Sequence, residues 1–358
     1  VAKGALTLVD TSGLVIGNGM HSIQLLSTKS SRKGKDKDDK FGVLKIKTIL
    51  ASNQVAQNVF LAKLTRWRQM KNEELLDVLS KLSSAVDEIP QFFSETLNTL
   101  FHILEFLSQD VIPRLVFKVM VDIFDALCDD KHPKATENRA MLEQYLQSEF
   151  TGTRSADRLL YAMVDFFADF SNKRPSDLLA ALRSVDYILK FVIRSHNING
   201  GVDTSPLANE YGDKWIERLS LALQQLMQSN RPDLHGVQVG ALKKLAPLFE
   251  TLLDIFSSTS VAEIVKTFVL SVKINSENLK SSLLLEKLRF IGRLLSGRLM
   301  QEPQVRLTLW PILARESLSI ATAEIKDCSD DIRKAAIQNF HTMVETIQRH
   351  IVNMDAEL

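Results

Sequence analysis

The chain has 358 residues, 45% of them apolar and 24% charged, an ordinary soluble composition on a length greater than one hydrophobic core usually serves. Its 44 basic and 43 acidic side chains leave a formal charge of +1, which excludes an overall field drawing it to nucleic acid or membrane. Two cysteines, Cys128 and Cys328, exclude a disulfide framework and fit a reducing cytosolic setting, and no run approaches the roughly 18 apolar residues of a membrane span.

The start, Val1-Ala-Lys-Gly4, has neither an initiator Met nor a secretory signal layout, and reads as the edge of a piece cut from a longer polypeptide. Gly4–Asp10 and Met20–Leu26 are short and β-compatible, separated by Gly13, Gly17 and Asn18-Gly19. Phe41–Leu50 is a clearer strand. Leu44, Ile46 and Leu50 alternate with Lys45 and Lys47, the period of two expected of a half-buried sheet. Between the last two strands, residues 30–40 contain no apolar side chain and cannot fold alone. Three strands rarely make an independent sheet, so this segment is expected either to end a larger β-domain or to dock on the helices C-terminal to it. Residues 1–70 carry 12 Lys/Arg against four Asp, a balance of +8 that leaves −7 for the remainder. An acidic body argues against a surface that grips phosphate backbones, so no nucleic-acid partner is expected.

From about Val55 the pattern turns helical. Phe93, Leu97, Leu100, Phe101, Leu104 and Leu107 trace one helix face, and Ile332, Ala336, Phe340, Met343, Val344, Ile347 and Ile351 trace another. Helix starts are predicted at Asp110 ahead of Pro113, at Pro175-Ser-Asp177 and at Glu302-Pro303. Ser260-Val-Ala-Glu263 reads as a capping box. Breaks fall near 131–133, 151–152, 172–175, 230–236, 257–260, 273–276 and 296–303, with a longer one from His196 to Gly212. Two segments share a plan. Leu234–Phe249 and Asp330–Val344 each open at a turn, continue with a branched aliphatic residue and a small Ala/Gly step, then run apolar at helical spacing. That is how a HEAT or armadillo repeat writes its inner helix, and helix pairs of roughly 40–50 residues match that period of ~40–47. The fold expected is therefore mainly α, an armadillo/HEAT-like α-solenoid behind a few strands, with a compact bundle as the structural alternative.

Marks of chemistry are sparse. The seven histidines are scattered, none four residues from another and none paired with cysteine at ligand spacing, so no metal site and no cofactor are expected. There is no Gly-x-Ser-x-Gly elbow, P-loop or Gly-x-Gly-x-x-Gly. Glu73-Glu74, Asp129-Asp130 and Asp330-Asp331 point about 100° apart on a helix and are read as boundary residues explained by capping. Arg333, behind the last pair, reads as part of an Asp–Arg ladder between repeats. Phe92, Phe93, Phe101, Phe106, Phe117 and Phe124 are read as packing rather than a base-stacking surface, and Trp215 and Trp310 as helix-end anchors. The basic loop Arg32–Lys40 is the best electrostatic candidate, with Arg32, Lys33, Lys35 and Lys37 as a contact for anionic lipid. Asp36, Asp38 and Asp39 are interleaved there and cancel much of its field.

The run Leu44–Trp67, with Ser52, Gln57-Asn58, Leu61, Leu64 and Trp67, resembles the junction in DOCK (dedicator of cytokinesis) exchange factors where a C2-like region ends and helical repeats begin. The likeness continues through Ile188–Ser195 and Val237–Pro247 and is nearest the subgroup that works with ELMO partners. It implies residues 1–54 as the last strands of a C2-like β-domain, and residues 55–358 as the repeat domain of a guanine-nucleotide exchange factor for Rac-like Rho GTPases. In that family a separate C-terminal region performs exchange, and nothing here matches it. The resemblance therefore implies a non-catalytic, cytoplasmic scaffold joining membrane-binding and exchange regions, with no catalytic residue carried over. Its partners would be proteins: an ELMO-like partner directly, and a Rho-family GTPase through the absent region. The rival readings are an unrelated repeat adaptor in trafficking or transport and an all-helical enzyme, which would need converging ionisable groups of perturbed pKa.

Overall fold

In this computed structural model the described residues are 19–24, 43–48, 56–107, 109–129, 132–152, 156–198, 210–272, 281–322 and 330–356. Strands β1 (Gly19–Gln24) and β2 (Val43–Thr48) pair antiparallel, with Ile23 opposite Leu44 and His21 opposite Ile46. The predicted strand at Gly4–Asp10 lies outside the described residues, as does the loop bearing Arg32, Lys33, Lys35 and Lys37.

Among the described residues there are thirteen α-helices. They are α1 (Val59–Leu64), α2 (Asn72–Lys81), α3 (Phe93–Phe106), α4 (Val111–Cys128), α5 (Ala135–Ser148), α6 (Ala156–Ala168) and α7 (Pro175–Ile198), then α8 (Glu210–Gln228), α9 (His235–Leu252), α10 (Ser258–Ser271), α11 (Ser281–Ser296), α12 (Pro303–Thr322) and α13 (Asp330–Ala356). Helices α4, α6, α8, α10 and α12 pack neighbour to neighbour in one layer, and α7, α9, α11 and α13 in a second. The two segments that share a sequence plan open α9 and α13, so both belong to the second layer. Their small-residue steps fall where helices approach closely. A Cβ added at Gly240 would lie 2.7 Å from a Leu179 methyl of α7, and Ala336 is fully buried against the α11 side chains Leu284 and Leu288.

Proline fixes the backbone for the first helical residue and gives up only an N–H that has no intrahelical partner, and α7 and α12 start on Pro175 and Pro303. The capping box at Ser260–Glu263 is corrected. Ser257 is the extended N-cap residue of α10, its hydroxyl accepting from the Ser260 N–H at 3.1 Å, while Glu263 pairs with Lys266. The helix therefore starts a turn earlier. Glu73-Glu74 and Asp330-Asp331 occupy first turns, where the helix dipole favours carboxylates. Asp129, by contrast, stands at the C-terminal end of α4, where a carboxylate cannot cap, so that boundary explanation does not extend to it.

One core runs from Leu61 on α1 to Met343 on α13, and a smaller cluster joins α11, α12 and α13. Phe93, Phe101, Phe117 and Phe124 are buried as expected, but Phe106 is 67% exposed, with the Arg68 guanidinium 5.8 Å from its ring. Trp215 lies near the start of α8 and meets Tyr161 edge-on at 5.0 Å. Trp310 sits in the middle of α12 beside Pro311 rather than at an end. The face traced on α13 divides: Ile332, Ala336 and Met343 are buried, whereas Val344 and Ile347 are 52% and 45% exposed.

Long polar side chains from one helix close the carbonyl end of another. Arg158 donates to the Leu104 and Leu107 carbonyls at the end of α3. Asn138 donates to Leu127 O at 2.9 Å and Arg139 to Cys128 O at 2.6 Å, at the end of α4. Gln238 Nε2 reaches Leu226 O, Met227 O and Ser229 O at 2.8–3.3 Å, at the end of α8. Carbonyls in the last turn of a helix lack the usual i+4 partner, and at the end of α8 Leu226 O otherwise accepts only from Ser229 N, at 3.4 Å. Gln238→Leu is expected to lower stability by about 1–3 kcal/mol, the penalty for buried polar groups left unsatisfied. Urea denaturation would measure it, and an unchanged midpoint would refute the capping role.

Candidate interaction surface

The most developed surface feature lies on the first layer, across α4, α6 and α8. Asp165 of α6 is held from both sides. Its Oδ2 accepts from Arg114 Nη2 and Nε of α4 at 2.7 and 3.0 Å, and its Oδ1 accepts from Arg218 Nη2 of α8 at 2.9 Å. One carboxylate thus ties three successive helices of a layer. Asp165 forms a two-rung Asp–Arg ladder away from Arg333, with partners 51 and 53 residues away along the chain, and single Asp–Arg pairs join Asp125 to Arg183 and Asp254 to Arg298. The Arg218 guanidinium also lies 5.7 Å from the rings of both Tyr161 and Trp215, close enough for cation–π attraction.

Beside the ladder is an open groove of about 760 Å³. Val111 and Leu115 of α4 with Ala162 and Phe166 of α6 form its apolar lining, and Arg114 and Lys118 stand on its rim. Val111, Leu115 and Lys118 recur at i, i+4 and i+7, which places them on one face of α4. Lys173, just beyond α6, holds its ammonium 5.5 Å from the Phe166 ring and 2.7 Å from Asp169. Hydrogen bonds and charge from Asp165 raise the pKa of Arg114, and the hydrogen bond from Lys173 lowers that of Asp169. Both shifts favour the charged forms. General acid–base catalysis requires instead a group brought near the operating pH, and neither of these shifts does that.

A second groove, about 520 Å³, lies nearer the N-terminal end of the stack between α1 and α3, where the buried Thr96 hydroxyl has no hydrogen-bond partner. Among the described residues no group of three or more His, Cys, Asp or Glu is placed to hold a metal ion, and no described helix is long and apolar enough to cross a membrane. Sequence reasoning missed Asp165. Its one local signal is a carboxylate at a half-buried position among the core residues Val164 and Phe167.

Residues 71–356 match the family model for the dedicator of cytokinesis (DOCK) TPR region. The chain belongs to the DOCK family. It is 27% identical over 274 residues to human dedicator of cytokinesis protein 3, a match covering 75% of this chain and 13% of that relative. It is 26% identical over 296 residues to human dedicator of cytokinesis protein 4, covering 79% of this chain and 14% of the relative. The chain therefore spans about one seventh of the length of these DOCK proteins. The match takes in α2 to α13, both layers of the stack and all of the ladder, and membership of the DOCK family sets aside the reading as an unrelated adaptor.

Proposed function

We propose that this chain is a non-catalytic helical-repeat scaffold segment of a DOCK-type guanine-nucleotide exchange factor for Rac-like Rho GTPases. It would fix the spacing between membrane-binding and exchange regions and offer a face to protein partners, an ELMO-like protein among them, in the cytoplasm. The observation that carries this reading is the two-layer stack that fills the matched region, with successive first-layer helices bolted together through Asp165. Stacks of this kind make long binding surfaces in which each repeat touches only its neighbours. First-layer helices start at 156, 210, 258 and 303, spacings of about 45–54 residues, longer than the 34-residue TPR period and nearer the armadillo/HEAT range. On that basis the repeats are taken as armadillo/HEAT-like.

The β1–β2 pair is read as the end of a C2-like β-domain occupying residues 1–54, with the repeat domain from residue 55. Arg32, Lys33, Lys35 and Lys37 would add a peripheral contact to anionic lipid, at about 1 kcal/mol per charge near the surface.

The test is nucleotide exchange on Rac loaded with a fluorescent GDP analogue. The purified chain is expected to leave release at its intrinsic rate. Acceleration that scales with the concentration of this chain would overturn the non-catalytic assignment.

A further inference from the structure

The groove across α4 and α6 is balanced in formal charge but not in what it presents. In four of the five ion pairs that line or flank it, the cation faces solvent and the carboxylate lies beneath. The side chains of Arg114 and Arg218 are 56% and 49% exposed, against 14% for the Asp165 they share. Lys118 is 45% exposed against 22% for Asp122, and Arg174 76% against 22% for Asp177. Lys173–Asp169 alone runs the other way, 30% against 44%. A ligand approaching from solvent therefore meets positive atoms first. Each guanidinium carries five N–H groups, and the Asp165 oxygens take three of the ten on Arg114 and Arg218, so donors remain on both for a further acceptor.

Within this cationic rim the lining joins the apolar side chains of Val111, Leu115 and Phe166 to the ion-paired carboxylates of Asp165, Asp169 and Asp177. Val111 is 43% exposed, and Leu115 and Phe166 are half-buried. The stripe Val111–Leu115–Lys118 repeats at helical spacing, which is what an incoming helix meets when its ridges enter the groove between two others. We propose that the groove docks an acidic amphipathic helix of a partner protein. Its apolar face would lie on Val111, Leu115 and Phe166, and its flanking Asp or Glu side chains would meet Lys118 and the outward guanidiniums of Arg114 and Arg218. A bilayer suits the site less well, because membrane insertion needs several apolar side chains that protrude, and of these only Val111 does so. This docking role rests on the scaffold reading.

The test uses two variants of exposed side chains, Val111→Asp and Lys118→Glu. The first places a carboxylate in the first turn of α4, where the helix dipole accepts it, and the second gives up a surface ion pair with Asp122 of the kind that contributes little to stability. Both are expected to melt with wild type. A phage-displayed library of helix-forming peptides about four turns long, randomised on one face, is selected against the immobilised wild-type chain. Recovered sequences are expected to combine Leu, Ile or Phe at i, i+4 and i+7 with flanking Asp and Glu. Synthetic copies should bind more weakly to either variant by about tenfold or more, and more weakly as salt is raised.

Failure of any sequence to enrich, enrichment of basic peptides, or binding to both variants as tight as to wild type would overturn the proposal. Phosphatidylserine vesicles that bind wild type but not Lys118→Glu would overturn it in favour of a lipid surface. Self-association in sedimentation that is lost in Val111→Asp would do so in favour of a second copy of the chain. Acidic peptides that bind but ignore both variants would move the docking site elsewhere while the scaffold reading stands. Accelerated exchange on Rac would remove the scaffold reading and leave the groove result untouched.

Discussion

Phe191→Ala is expected to cost about 3–5 kcal/mol, the range for truncating a fully buried phenylalanine. Phe191 lies on α7, 1% exposed, and its ring meets four others: Phe101 of α3 at 5.1 Å, Phe124 of α4 at 5.9 Å, Tyr145 of α5 at 6.0 Å and Phe150 at 5.2 Å. Offset and edge-on ring pairs add to the energy of simple burial. The surrounding rings are rigid and constrained on other sides, so they cannot collapse into the space left behind. The Tyr145 hydroxyl, for example, donates to Asn98 Oδ1 at 2.7 Å. Because repeats touch only their neighbours, the damage should stay local. Hydrogen exchange should show α3–α7 opening well before α9–α13. A uniform loss of protection, or a loss below about 1 kcal/mol, would contradict the role of Phe191 as the hub of this block.

Lys287→Met should be nearly as costly, for an electrostatic reason. Lys287 of α11 is 1% exposed, and its ammonium donates to Val272 O at 2.8 Å and to Glu316 Oε2 of α12 at 2.7 Å. Burial lowers its pKa, and Glu316 opposes that shift without cancelling it. Removing the cation alone leaves a carboxylate, 16% exposed, without its partner, a loss of about 3–5 kcal/mol. Lys287→Met combined with Glu316→Leu should recover most of it, since an apolar pair of similar volume often replaces a buried ion pair at little cost. The folded-state pKa lies below the ordinary 10.5, so between the two values the unfolded chain binds more protons. The cost of holding the buried ammonium charged is therefore carried in full below the folded-state pKa and is relieved as pH rises to 10.5, so wild-type stability increases across that window. Wild type should gain on Lys287→Met as pH rises toward 10.5. A difference independent of pH would show that Lys287 is not desolvated as its position implies.

Local rules made much of the helical body readable from the residues alone. Proline at the first position of α7 and α12, carboxylates in the first turns of α2 and α13, and apolar positions at helical spacing along α3 are all determined by backbone geometry within a few residues. The family was legible as well, from short runs such as Val237–Pro247 that lie within the matched residues 71–356. The tertiary structure decided what depends on where the preceding chain arrives. At Ser257 and Ser260, two equivalent hydroxyls lie three residues apart, and the exit from the preceding turn selected the first. Phe106 falls in the aromatic set read as packing, yet it lies off the α3 face traced by Phe93, Leu97, Leu100, Phe101 and Leu104, and so it is exposed. Periodicity along α13 grouped Ile332, Ala336 and Met343 with Val344 and Ile347. Packing against α11 and α12 buries only the first three, because one helix face is wider than the surface its neighbours cover. Asp165 is the fullest case. Its sequence neighbours give an unremarkable core pattern, while its partners sit 51 and 53 residues away. An ion pair depends on distance in space, which becomes fixed only when α4, α6 and α8 are laid side by side.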